Sequence, residues 1–263
     1  MGAVMDELAG EGHRKVTLLR AVDRSLSIIG TFDDGHARQT LSEISRRAGL
    51  PVSTTYRIVE RLRVWGALER DEERRYHIGL RLWEVATLAP RSMTLQRVAH
   101  PFMIDLYKIT SCSIHLAIRE GHETVFIERI ENPRQILSTR ASGGPRVGFR
   151  HPMHTTAVGK VLLAHIEDGV REEILADLPA DGDGGVDLPT LRHELVNVRR
   201  QGYALSGPDL SPDYMAVAAP VTAGGVVIAA LSVIVRSGAG EQGAADLVRV
   251  AAGGISRAMK QQV

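Results

Sequence analysis

Residues 40 to 64 dictate two short helices and the tight turn between them. Thr40-Leu-Ser-Glu43 has the S/T-x-x-E spacing in which a hydroxyl and a carboxylate satisfy each other's backbone N–H groups at a helix start. Leu41, Ile44 and Ala48 give that helix one apolar face. Gly49 suits a turn with positive φ, and Pro51 suits the first position of a following helix. Ser53 to Val64 then continues as a helix, with Ile58, Val59, Leu62 and Val64 inward and Arg57, Arg61 and Arg63 outward. A short helix, a glycine turn and a second helix opening on hydroxyl and basic residues predict a helix-turn-helix. Upstream, Val16, Leu18, Leu19, Val22, Leu26, Ile28 and Ile29 have helical spacing with a buried face. Downstream, Ala67–Arg70 and Arg74–Ile78 flank Asp71-Glu-Glu73 and read as a two-stranded wing.

Charge supports a nucleic-acid surface in this part of the chain. The total is only +1, but residues 13–83 hold 13 arginines and one lysine against nine acids, or +5. The first 12 residues carry −3 and residues 84–263 carry −1. Arg38, Arg46, Arg47, Arg57, Arg61 and Arg63 are opposed locally by Glu43 and Glu60 alone. A solvated helical face is the bland alternative on charge alone, and the helix-turn-helix pattern decides against it.

Several classes fall away. The single cysteine, Cys112, permits neither an intramolecular disulfide framework nor a Cys-cluster zinc site, and it suits a reducing, cytoplasmic setting. Met1 to Gly12 lacks the basic and apolar regions of a secretory signal. Met215 to Val235 is nearly apolar, but Pro220, Gly224 and Gly225 divide it into two buried strands instead of a membrane span.

The chain resembles the IclR family of transcriptional regulators. Leu41-Ser-Glu-Ile44, Ala48-Gly-Leu-Pro51, Ser53-Thr54, Arg57, Leu62, Gly66 and Tyr76-x-Ile-Gly79 are similar to that family's winged helix-turn-helix. His151-Pro-Met-His-Thr-Thr-Ala-Val-Gly-Lys-Val-Leu-Leu-Ala164, Arg199-Arg-Gln-Gly-Tyr-Ala204 and Val217-Ala-Ala-Pro-Val221 resemble its downstream signatures, in order and spacing. The resemblance implies an α+β protein: a winged helix-turn-helix over 14–79, a linker helix over 80–92 and a GAF-like α/β effector-binding domain over 93–263. It implies a repressor that is not an enzyme, bound to a palindromic double-stranded DNA operator as a homodimer or dimer of dimers. Leu80, Leu82, Trp83, Val85, Ala86 and Leu88 would pair linker helices between protomers.

On the DNA side, Ser53, Thr54 and Thr55 open the second helix, where short hydroxyls reach phosphates or base edges. Arg57 and Arg61 follow at helical spacing on one face. Arginine matches guanine O6 and N7, so Arg57 is the expected base reader and Arg61 a phosphate contact. Arg70, Arg74 and Arg75 of the wing are expected at phosphates. Val52 stands where the family commonly has lysine, and Tyr56 where it often has histidine, so the family's base preference does not carry over.

The resemblance places the effector against His151, Ala157, Val158, Ser206, Tyr214, Ala216, Ser232 and Ile234. The helix from about Ala157 to His165 would offer free N–H groups to an anion. Relatives that bind small carboxylic acids tend to have an acid, a cysteine and a serine where Ser206, Ala216 and Ile234 stand. The pocket expected here is therefore less polar and suits an organic or aromatic acid. An inward Arg146 or Arg150 would restore a carboxylate contact.

Other readings carry less. A repressor sensing hydrophobic compounds promiscuously, and a metabolite-binding enzyme with a vestigial helix-turn-helix, are the alternatives. Thr155–Lys160 lacks the first glycine and the final hydroxyl of a phosphate loop. His151 and His154, with His115 and His165 elsewhere, lack the spacing of a metal site, so neither metal nor cofactor is expected. Cys112 reads as an idle thiol.

Overall fold

The computed structural model describes residues 21–33, 35–88, 90–133, 135, 147–179, 186–207, 213–238 and 240–261, with backbone alone for 90–93. The chain divides into two compact units, Met1–Pro90 and Arg91–Val263.

In the first unit, α1 is helical over residues 21–29. It is followed by α2 (Leu41–Ala48) and α3 (Val52–Trp65), then the strands β1 (Leu68–Arg70) and β2 (Tyr76–Ile78), then α4 (Leu80–Ala86). The capping box at α2 is complete: Thr40 Oγ1 accepts from the Glu43 N–H, and the Thr40 N–H donates to Glu43 Oε2 at 2.7 Å. Gly49 ends α2 in the left-handed region, where a Cβ would be strained. Pro51 is not the first helical residue but the capping position before α3, with extended ψ. Ile28, Ile44, Val59, Leu68 and Tyr76 form the small core.

Three expectations about that core need correction. Val64 is 76% exposed, because two residues past Leu62 a helix has turned by roughly 200° to its other side. Val22 and Leu26 are likewise exposed, and only Ile28 of α1 is fully buried. Val16, Leu18 and Leu19 lie outside the described residues. The wing is the predicted hairpin, with Leu68 opposite Ile78 and Arg70 opposite Tyr76. Gln39 adds a bridge to it, exchanging backbone hydrogen bonds with Tyr76.

The second unit is a six-stranded antiparallel sheet with helices on both faces. After α5 (Pro90–Thr110) come β3 (Ile114–Glu120), β4 (Glu123–Ile130), β5 (Arg150–Pro152), α6 (Ala157–His165), α7 (Asp168–Ala176) and α8 (Leu188–Gln201). β6 (Ala204–Ser206), β7 (Tyr214–Ala223), β8 (Val226–Arg236) and α9 (Glu241–Lys260) complete it. The strand order is β5-β4-β3-β8-β7-β6. The nearly apolar run is the β7–β8 hairpin, turning through Gly224 and Gly225 at positive φ. No helix among the described residues is long and apolar enough to cross a membrane.

Strand alternation sorts side chains between two cores. Ile114, Leu116, Val217, Ala219, Val221, Leu231 and Val233 face α5 and α9. Ala117, Phe126, Ala218 and Ala230 face α6 and α8. The sheet is also curled. Five flat strand spacings would hold its edge strands about 24 Å apart. Yet Ser206 Oγ of β6 donates to the carbonyl of Thr155 at 3.1 Å, only three residues beyond Pro152 of β5 and so within about 11 Å of chain. The two edges therefore approach each other around the first turn of α6, and the α6 side of the sheet is concave.

Candidate functional site

The first unit presents an arginine surface on α3 and the wing. Ser53 and Arg57 are exposed and Thr54 half-buried, while Arg61 is exposed one turn further along. Among the described residues Arg57 and Arg61 make no ion pair, whereas Arg63 is held by Glu60 at 3.0 Å and Arg47 by Asp33 at 2.5 Å. Guanidiniums without a protein carboxylate keep their full charge for phosphate or guanine. Thr55 departs from expectation. It is fully buried and its hydroxyl donates to the Pro51 carbonyl at 3.1 Å, so it packs the helix instead of facing DNA.

In the wing, Arg70 lies over the Tyr76 ring at 5.2 Å and Arg75 pairs with Glu73 at 2.6 Å. Arg74 occupies the turn at φ 63° with its side chain exposed. Asp71 accepts from the Arg75 N–H and from Arg38 at 3.4 Å. Arg38 therefore joins the wing arginines. Sequence pattern does not group it with them, because the Gln39–Tyr76 bridge that brings it there joins residues far apart in the chain.

Exposed apolar side chains collect in the same unit. Val64, Trp65, Leu80, Trp83, Val85 and Leu88 are each more than two-fifths exposed. Gly66 and Gly79 permit the close approach that brings α4 to the end of α3: a Cβ on Gly79 would lie 2.2 Å from the Gly66 carbonyl oxygen.

On the concave side of the second unit, cross-strand register brings most of the predicted effector residues together. Ser206, Ala216 and Ile234 form one row across β6, β7 and β8. Ser232 stands in the next row, between Ala218 and His115. Ala157 and Val158 are buried in the first turn of α6 over this face. Thr156 caps the helix by accepting from Gly159, which leaves the N–H groups of Ala157 and Val158 without an acceptor inside the helix. Half-buried Tyr214 starts β7 opposite Arg236, further out. His151 stands on β5 opposite Thr124. Arg150 is exposed and paired with Glu123 at 3.0 Å, so it does not turn inward, and Arg146 lies outside the described residues.

Three aromatic groups on this face were not expected there. The Phe126 ring meets His115 edge-on at 5.8 Å and His151 at 5.7 Å, and Phe149 meets His151 at 4.8 Å. Burial first, and nearby Arg129 second, push His115 down to about 4, so its imidazole is neutral at neutral pH. Burial also lowers His151. The alternation of Ile114, His115, Leu116 and Ala117 hinted that His115 faces opposite Ile114. Which face of the sheet is covered by α6 is decided only by long-range packing.

Cys112 is half-buried, donates to the Thr110 carbonyl and has its thiol pushed up by burial, the condition of an unreactive thiol. Among the described residues no three His, Cys, Asp or Glu side chains are grouped to hold a metal ion.

Comparison with known proteins gives this arrangement a family. Residues 87–257 match the model described as "Bacterial transcriptional regulator IclR C-terminal", and residues 21–72 match the "IclR helix-turn-helix domain". A crystal structure of an IclR homolog from Microbacterium hydrocarbonoxydans, complexed with 4-hydroxybenzoate, is 34% identical. It covers 92% of this chain and 99% of its own, with a TM-score of 0.84. The HTH-type transcriptional regulator XynR of Escherichia coli is 29% identical over 208 residues, 78% of this chain and 81% of its own. The HTH-type transcriptional repressor AllR of Escherichia coli is 28% identical over 193 residues, 71% and 68% respectively. With its winged helix-turn-helix and its separate α/β unit, the chain belongs to the IclR family of bacterial transcriptional regulators, DNA-binding proteins switched by a small-molecule effector.

Proposed function

We propose that this regulator is a cytoplasmic repressor that binds a palindromic double-stranded operator as a dimer or dimer of dimers and is switched by an aromatic acid. The carrying observation is the full-length similarity to a regulator whose structure holds 4-hydroxybenzoate, together with a concave face of matching chemistry in this chain. The first-turn N–H groups of α6 suit a carboxylate, and Phe126, Ala216 and Ile234 suit a ring. Residues 14–79 would serve as the DNA-binding domain, 80–92 as the linker and 93–263 as the effector domain. Ser53, Thr54, Arg57 and Arg61 would enter the major groove, with Arg70, Arg74 and Arg75 on flanking phosphates. The exposed apolar surface of Trp65, Leu80, Trp83 and Leu88 supports pairing between protomers.

An effector preferring one arrangement of the paired units shifts operator affinity by the coupling energy, about 5- to 150-fold for ~1–3 kcal/mol. Gel shift on the DNA upstream of the adjoining operon, with and without 4-hydroxybenzoate, tests the reading. Specific binding released by the acid is expected. Specific binding indifferent to every aromatic acid would overturn the effector class, and release by unrelated apolar compounds would favour a promiscuous sensor.

A further inference from the structure

The concave face holds polar groups that the described residues leave unsatisfied. His115 is buried, yet its ring makes no hydrogen bond to a described residue, and neither does the hydroxyl of Ser232 beside it in register. One strand over, Thr124 Oγ1 is buried without a partner among the described residues, as is Nε2 of His151 opposite it. Thr124 Oγ1 and His151 Nε2, buried and unpartnered among the described residues, cost about 1–3 kcal/mol each, so the two beside one aromatic ring mark a place built for a polar guest. Phe126 sits between the two imidazoles and touches both.

The chemistry narrows that guest. A neutral imidazole offers one N–H donor and one lone pair. Those match a hydroxyl, which accepts and donates together, better than a carboxylate, which only accepts. A carboxylate has its own receptor in the first turn of α6, where Ala157 and Val158 present free N–H groups. An aromatic ring against Phe126 can carry the two functions on different edges.

We infer that His115 is a specificity-determining residue of the effector pocket: with Ser232 it reads a ring hydroxyl, so the pocket selects hydroxylated aromatic acids over the unsubstituted acid. This rests on the reading that the effector occupies the concave face under α6. His115 is well placed for the task because its backbone is fixed on both sides, by Arg129 of β4 and Ser232 of β8. Side chains on interior strands hold their geometry better than side chains on loops.

Calorimetric titration of the full chain with benzoate, 3-hydroxybenzoate and 4-hydroxybenzoate tests it, using wild type, His115→Phe, His115→Gln and Ala216→Phe. Circular dichroism establishes that each variant is folded. Wild type should prefer one hydroxybenzoate over benzoate by about tenfold, the scale of one well-made hydrogen bond. His115→Phe should lose the preference, bringing the ratio of hydroxybenzoate to benzoate affinity to about one, and His115→Gln should recover part of it. Ala216→Phe, which fills the half-buried row opposite Ile234, should abolish binding of all three. A preference that survives His115→Phe, no preference in wild type, or no binding of any benzoate overturns the role of His115. If Ala216→Phe still blocks binding while His115→Phe changes nothing, the pocket stands and only the specificity role falls. Unimpaired binding by Ala216→Phe removes the pocket itself, and the inference with it. Should His115→Phe fail to fold, the His115→Gln titration decides: a preference weaker than that of wild type supports the role, and one equal to it or stronger overturns it.

Discussion

Gly159 packs its bare Cα against the carbonyl oxygen of Met153, and a Cβ there would lie 2.2 Å from that oxygen. The contact sets how tightly the turn after β5 folds back on α6, and thereby where the free N–H groups of Ala157 and Val158 point. Backbone cannot swing aside as a flexible side chain can. Gly159→Ala should destabilise the chain by about 1–3 kcal/mol and weaken effector binding. Denaturant unfolding followed by circular dichroism measures it, and an unshifted midpoint would show that the turn relaxes freely.

Thr40 and Glu43 hold the start of α2 through reciprocal hydrogen bonds. Thr40→Ala removes the hydroxyl side of the box, so the first unit should lose about 1 kcal/mol, with Thr40→Ser close to wild type. Hydrogen exchange at the amides of α2 reads this directly. Operator affinity should fall in the alanine variant alone, because α2 packs against α3, the helix proposed to enter the groove.

Arg57 and Arg70 should separate in their salt dependence. Arg57→Ala is expected to cost about 1–3 kcal/mol on the specific site and to relax sequence preference at one base pair. Arg70→Ala should weaken all sequences alike and reduce the slope of log affinity against log salt by about one. Fluorescence anisotropy on specific and scrambled duplexes between low and moderate salt distinguishes the two patterns.

His115 makes stability depend on acidity. Its folded value of about 4 lies below the ordinary 6.5, so between those values the unfolded chain takes up a proton that the folded chain refuses. The contribution is complete above about pH 6.5 and is lost as pH falls toward 4, by at most about 3 kcal/mol. His151, also lowered by burial, acts in the same direction. Unfolding midpoints taken from pH 7 down to pH 4.5 should fall more steeply for wild type than for His115→Gln; parallel curves would contradict a neutral buried imidazole.

Trp83 is 61% exposed on α4, and Trp65 is 52% exposed at the end of α3. A charge placed at Trp83 faces solvent in a single chain but would be buried in the proposed pair. Trp83→Glu should leave the fold intact and reduce the assembly seen by light scattering, with operator affinity falling in step. A variant of unchanged mass would move the proposed contact elsewhere.

Local chemistry written in the sequence determined much of this protein. The capping box, Gly49, the hairpin between Arg70 and Arg74 and the helix from Ala157 to His165 depend on neighbours within a few residues, so their sequence carries them. Family motifs extended that reading to Ser206, Ala216 and Ile234, which register does align in one row. Only the tertiary structure decided the rest. Thr55 is buried and Val64 exposed because α3 is rotated by what packs on it, and helical period alone sets the spacing of a face but not its direction. His115 comes to lie on the α6 side of the sheet because β3 pairs with β8 and α6 covers that side, long-range facts that two-residue alternation cannot supply. The curl that joins Ser206 to Thr155 across six strands is of the same kind, since it belongs to the sheet as a whole and to no segment of the chain.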